Sequence, residues 1–114
     1  MTTAALLDTL DTLATATAAG DHAALIALYA DDIVLHSPVV PEPFRGKEDV
    51  ARLVGAVLAA FERWERTYTL VDGDRGVLGV AARIGGRDVQ LTEHVTVGAD
   101  GRIAELCITG RPLA

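Results

Sequence analysis

Val89-Gln90-Leu91-Thr92-Glu93-His94-Val95-Thr96-Val97 alternates between apolar and polar side chains. That period of two marks a β-strand with one buried and one wet face. Val89, Leu91, Val95 and Val97 take the buried side, and Gln90, Thr92, His94 and Thr96 the other. Glu93 falls on the buried side. An ionised carboxylate taken out of water without partners costs several kcal/mol, comparable to the whole net stability of a domain. A carboxyl group there is therefore paired, protonated or lining a cavity, and the stretch points to a strand with a pocket at its middle.

The same period governs the residues around it. From Thr67 onward the pattern changes from 3.6 to 2, and turns at Asp72 to Gly76, Gly85-Gly86 and Gly98 to Gly101 divide the rest into four strands. Gly85-Gly86 suits a two-residue hairpin, because both positions need positive φ. The expected inward faces are Tyr68 and Leu70, then Leu78, Val80, Ala82 and Ile84, then the Glu93 face, then Ala104, Leu106 and Ile108. Helical spacing precedes this meander. Leu6, Leu10 and Leu13 form a first helix ending at Gly20, and Asp21 caps a short second one carrying Leu25, Ile26, Leu28 and Tyr29, stopped by Asp31 and Asp32. Ile33 to Ser37 is β-rich and closed by Pro38, and Pro41 and Pro43 keep the following stretch loop-like. Val50, Leu53, Val54, Val57, Leu58 and Phe61 make the stripe of a third helix, with Glu48 and Asp49 in its first turn where the macrodipole favours anions. Helices first and antiparallel strands later predict an α+β domain whose helices cover one side of a sheet.

At 114 residues the chain fits one domain, residues 1–114, with half its residues apolar. No apolar run approaches the roughly 18 to 20 residues of a membrane span, and Met1 to Leu10 lacks the pattern of a secretory signal, so a soluble cytoplasmic protein is expected. Ten basic against 16 acidic residues give a net charge of -6, which repels phosphate backbones and anionic membranes; neither nucleic acid nor membrane is an expected partner. Cys107 is alone, no Cys/His spacing suggests a metal, and no cofactor is expected.

Glu93 in an apolar setting has its pKa raised by desolvation and can donate a hydrogen bond or act as a base near neutrality; otherwise it is a structural carboxylate paired with an arginine such as Arg83, or a slipped register exposes it. Ser37, inward with Ile33 and Leu35, either orients a ligand or only starts a turn before Pro38. In regular strands His36 and His94 point outward, and a β-bulge would reverse His36. Tyr29 is expected beneath the third helix, Trp64 at that helix's end as a pocket wall or lid, and Phe44 as a gate.

The stretch A-G-D-H-A-A-L-I-A-L-Y-A-D-D-I-V-L-H-S-P-V-V-P-E-P-F-R-G, Ala19 to Gly46, resembles the opening of ketosteroid isomerases and of the wider nuclear transport factor 2-like, SnoaL-like superfamily. The likeness continues through the third helix, E-H-V-T-V at Glu93 to Val97, and the G-R-I-A-E-L end. It implies a cystatin-like α+β barrel: a strongly curved antiparallel sheet shaped as a cone, wrapped by three N-terminal helices, with an apolar pocket at the open end and a homodimer made through the outer sheet face. The implied pocket is lined by Tyr29, Leu35, Phe44, Leu53, Val57 and Trp64, with Tyr68, Val80, Leu91, Leu106 and Ile108 from the strands. In ketosteroid isomerase one Asp is the base, while a Tyr and a protonated Asp form the oxyanion hole. Here Ser37 stands at the base position and Leu13 on or near the tyrosine. Glu93 replaces the protonated Asp.

The resemblance thus implies an enzyme moving protons on an apolar small molecule, as isomerase, cyclase or dehydratase, with Glu93 and Ser37 as its candidate catalytic residues. The alternative is a non-catalytic module that binds a hydrophobic ligand or serves dimerisation.

Overall fold

The computed structural model describes residues 2–113. Helix α1 (Thr3–Ala19) begins where the Thr2 hydroxyl accepts the Ala5 N–H (3.0 Å) and ends at Gly20, whose φ of 68° lets Asp21 N–H reach the Ala16 carbonyl (2.8 Å). Asp21 then caps α2 (His22–Ile26) through the Ala24 N–H. This helix is shorter than its apolar spacing suggests. The Ile103 N–H donates to the Leu28 carbonyl (2.8 Å), drawing the chain onto the last strand, so Tyr29 opens strand β1 (Tyr29–His36) instead of extending a helix. Asp31 and Asp32 lie inside β1 as exposed residues of an irregular stretch, where five residues of β1 advance against two of its neighbour.

A short strand β2 (Phe44–Arg45) pairs with β1, placing Phe44 against Leu35. Helix α3 (Lys47–Ala60) follows Gly46 and carries Glu48 and Asp49 in its first turn. His22 Nε2 donates to the α3 carbonyl of Ala51 (2.6 Å), and its ring packs on Gly55, locking α2 to α3. The chain passes from α3 into strand β3 (Phe61–Asp72) with no intervening residue. Phe61 and Trp64, expected at a helix end, therefore belong to a strand. Phe61 takes extended angles (φ −71°, ψ 122°), and the side chain that continues the helical stripe becomes the first rung of the sheet.

Strands β4 (Arg75–Ile84), β5 (Arg87–Val97) and β6 (Ile103–Pro112) complete an antiparallel meander with β3. The six-stranded sheet has the order β2-β1-β6-β5-β4-β3, is curved, and does not close on itself. It is antiparallel except at β1 and β6, which run parallel. The helices cover one face. Leu6, Leu10 and Leu13 of α1 pack there against Leu78, Val95, Val97 and Ile103.

Two bulges in β3 decide which side chains face the helices. Phe61 pairs with Ile84 but Arg63 with Arg83, and Arg66 with Val80 but Tyr68 with Gly79, so Glu62 and Thr67 are each one residue extra. An extra residue exchanges the faces of everything beyond it. Trp64 is buried opposite Ala82, and Arg66 reaches Asp11 of α1 (2.6 Å). Past Thr67, Tyr68 and Leu70 turn to the outer face, where they are 46% and 60% exposed. The inward placement expected for both is thus corrected by a single inserted residue, and the Tyr68 ring lies in the space that a Gly79 side chain would need. Among the described residues no helix is long and apolar enough to cross a membrane.

Candidate functional site

A cavity of about 200 Å³ opens between α3 and the inner face of the sheet. Each element supplies part of its wall because each turns one periodic face inward. Helix α1 gives Leu13 and Thr17, α2 gives Leu25, and α3 gives Leu53, Val54, Val57 and Leu58. From the sheet come Tyr29 and Leu35 of β1, Phe61 and Trp64 of β3, Ile84 of β4, Leu91 and Glu93 of β5, and Leu106 and Ile108 of β6. Ser37, Pro38 and Val39 follow β1 onto its rim.

Glu93 is the one charged side chain in this lining. It sits on β5 between Leu78 of β4 and Ile108 of β6, and it is 7% exposed. Among the described residues it makes no hydrogen bond and no ion pair. Arg83, a candidate partner from sequence, lies on the other face and pairs instead with Glu62 (3.5 Å) and Asp88 (3.1 Å). No side-chain oxygen or nitrogen among the described residues is both sealed and unpartnered, so the Glu93 carboxyl group meets the cavity itself. Desolvation raises its pKa from the ordinary 4.5 to about 7. The group therefore exchanges a proton near neutrality.

Tyr29 is buried on the same cavity, and among the described residues its hydroxyl makes no hydrogen bond. Burial and then the nearby Glu93 charge push its pKa upward, so it stays protonated and available as a donor. A carboxyl group and a phenol that exchange no hydrogen bonds with the other described residues thus share one apolar chamber.

Two hydroxyls of the wall make local contacts. Thr17 Oγ1 donates to the Leu13 carbonyl (2.7 Å), and Ser37 Oγ accepts the Val39 N–H (3.0 Å), the local turn that serine before proline favours. Ser37 therefore lies at the rim, where its oxygen shapes the loop. Leu13 is apolar wall, so the first helix brings no donor.

Tyr29, Leu35, Leu53, Val57, Trp64, Leu91, Leu106 and Ile108 line the cavity, and Phe44, Tyr68 and Val80 do not. Phe44 pairs beside Leu35 through β2 and packs against the core, away from the cavity lining. Val80 is sealed within the core, and Tyr68 lies outside the cone. Leu25, Val54, Leu58, Phe61 and Ile84 also line it, read from the sequence as apolar faces but not as pocket wall, and Thr17 and Val39 carry no such signal. Thr17 is findable only by its spacing, one turn after Leu13, whereas Val39 reads as loop. His36 and His94 both face outward, His36 within 3.4 Å of Glu105. Among the described residues no group of three or more His, Cys, Asp or Glu is arranged to hold a metal.

The SnoaL-like domain model matches residues 10–106. No functionally curated protein matches the chain. Among solved structures, a steroid delta-isomerase from Pseudomonas aeruginosa is 29% identical, with 96% of this chain and 82% of that one covered and a TM-score of 0.87. A protein provisionally named a polyketide cyclase, from Sinorhizobium meliloti, is 30% identical over 90% of this chain and 94% of its own, with a TM-score of 0.76. A nuclear transport factor 2-like protein of unknown function from Burkholderia xenovorans LB400, 18% identical over 93% and 82% of the two chains with a TM-score of 0.84, shows the fold alone. With a domain match spanning residues 10–106, the protein belongs to the SnoaL-like family of the nuclear transport factor 2-like superfamily.

Proposed function

We propose that this protein is a small enzyme that moves a proton on an apolar, carbonyl-bearing or cyclisable metabolite held in the cavity. The observation that carries the reading is Glu93: buried, unpaired, facing an apolar chamber, and titrating near neutrality because of its burial. Tyr29 supplies a hydrogen bond to oxygen that gains charge as the proton leaves carbon. One carboxyl group in the wall limits the chemistry. As a carboxylate Glu93 takes a proton from a carbon beside the carbonyl, and as an acid it returns the same proton elsewhere on the substrate, leaving no net proton change. A double-bond shift and an intramolecular ring closure both meet that balance. The names borne by the Pseudomonas aeruginosa isomerase and the Sinorhizobium meliloti cyclase support these classes, and the fold alone does not choose between them. Ser37 is a polar helper at the rim that acts through the loop it holds, by accepting the Val39 N–H.

The test is turnover of wild type and Glu93→Gln on enone, epoxide and polyketide substrates, alongside an NMR titration of the Glu93 carboxyl carbon. Loss of turnover in the variant, with a wild-type titration near pH 7 that ligand shifts, supports the proposal. Equal turnover, or none in either, favours the second reading, a module that binds a hydrophobic ligand without reaction. The second reading draws on the apolar residue at Leu13 and the turn already made by Ser37. Either reading includes a homodimer through the outer face, for which exposed Tyr68 and Leu70 offer apolar area. A cytoplasmic setting is also part of the proposal, and a single free Cys107 is compatible with it.

A further inference from the structure

The cavity's volume of about 200 Å³ falls below the roughly 300 to 1,000 Å³ of pockets that enclose drug-sized ligands. A ligand that reaches Glu93 and exceeds the size of a fragment must project from the mouth. The surface it meets there is apolar. Val39 lines the cavity yet is 85% exposed, and Val57 of α3 lines it while 37% exposed. An exposed valine gains little from folding, whereas it gains apolar burial when a ligand covers it. Val39 is also held in place. Its N–H donates to Ser37 Oγ (3.0 Å), and Pro38 and Pro41 fix φ on either side.

We propose that Val39 and Val57 form an apolar shelf at the mouth of the cavity that selects ligands with a carbonyl head and an apolar tail longer than the chamber, and that Ser37 is the positioning residue of that shelf. The inference rests on the reading that the cavity takes an apolar carbonyl compound, and it adds the shape of that compound. The head reaches Glu93 and Tyr29 at the inner wall, the body fills the chamber, and the tail lies across Val39. Discrimination against short ligands then resides in residues far from the chemistry, because each methylene removed from water strengthens binding by about fourfold when fully buried and by less on a half-open surface.

The test uses Trp64, the single tryptophan and part of the cavity wall, as a fluorescent reporter. Methyl n-alkyl ketones from butyl to decyl are titrated into wild type, Val39→Ser, Ser37→Ala and Glu93→Gln. In wild type, affinity rises about fourfold per methylene until the chamber is full and about twofold thereafter. Val39→Ser weakens the short ketones least and the longest most, the loss growing with tail length to about three- to tenfold; Ser37→Ala shows the same trend to a smaller degree; Glu93→Gln acts equally at every length. Val39 is exposed, so its substitution does not endanger the fold. A Val39→Ser effect that is absent or independent of tail length overturns the shelf while leaving the cavity reading intact. A uniform loss in Ser37→Ala overturns the positioning role, since it places the hydroxyl at the ketone head. If no ketone changes Trp64 emission, the reading of the cavity and the shelf fall together.

Discussion

Replacing Glu93 by Gln removes the charge that the fold tolerates least, and the consequence is a stability difference that changes with pH. The carboxyl group titrates at about 7 in the folded chain and near 4.5 when exposed. Between those values the folded state holds a proton that the unfolded state has lost, so wild-type stability falls as pH rises through this window. Its contribution is fully present below pH 4.5 and gone above pH 7. At about 1.4 kcal/mol per pH unit, the gap amounts to about 3 kcal/mol. Gln has nearly the same shape and cannot ionise. Any cost of its buried amide is the same at every pH, as are the contributions of all other groups, which cancel in the comparison. Urea unfolding of both proteins from pH 4.5 to 9 therefore gives a difference curve that climbs by about 3 kcal/mol in favour of Glu93→Gln, with most of the rise between pH 5 and 7. Parallel curves refute the reasoning. They would mean that the carboxylate is solvated or paired in the folded protein, and the case for chemistry at this position would go with them.

Tyr29→Phe deletes the second proton-bearing group in the cavity; turnover of a carbonyl substrate is expected to fall tenfold or more, with Glu93's titration moved by less than a unit, checked by steady-state kinetics and carboxyl NMR. Gly76→Ala drives a methyl group into Leu10, which is fully buried in α1, and is expected to cost about 1 to 3 kcal/mol in urea unfolding. The paired change Tyr68→Ser and Leu70→Lys removes the exposed apolar area of the outer face; sedimentation should show a shift toward monomer, with the pH dependence set by Glu93 kept intact.

The strand from Val89 to Val97 was legible because its two faces differ in polarity at every step, and the structure gives β5 as Arg87–Val97 with Glu93 inward. Gly20 was legible as a helix end for a similar reason: its φ of 68° is one that a side chain disfavours. The junction of α3 and β3 was not. Phe61 satisfies the helical stripe and the strand alike, so periodicity carries straight across the boundary. Tyr68 and Leu70 misled for a different reason. Their alternation was read correctly, but its phase depends on the extra residue Thr67, and a bulge leaves no mark in hydrophobic spacing. At the site, the buried carboxyl group and most of its apolar surroundings could be read from inward faces. The placing of Phe44 by β2 depended on pairing between segments that no local pattern reveals.

The direct passage from Ala60 to Phe61 joins the α3 wall of the chamber and its β3 wall at a single corner with no connecting residue. Lengthening either one there would displace every rung from Trp64 to Val71, so capacity cannot be enlarged by adding chain at that vertex. What remains adjustable is bulk at Leu53, Val54, Val57 and Leu58, four positions on one helix whose replacement by smaller or larger residues resizes the interior while the scaffold stays unchanged. Ligand range in this architecture is therefore retuned by point substitution more readily than by insertion.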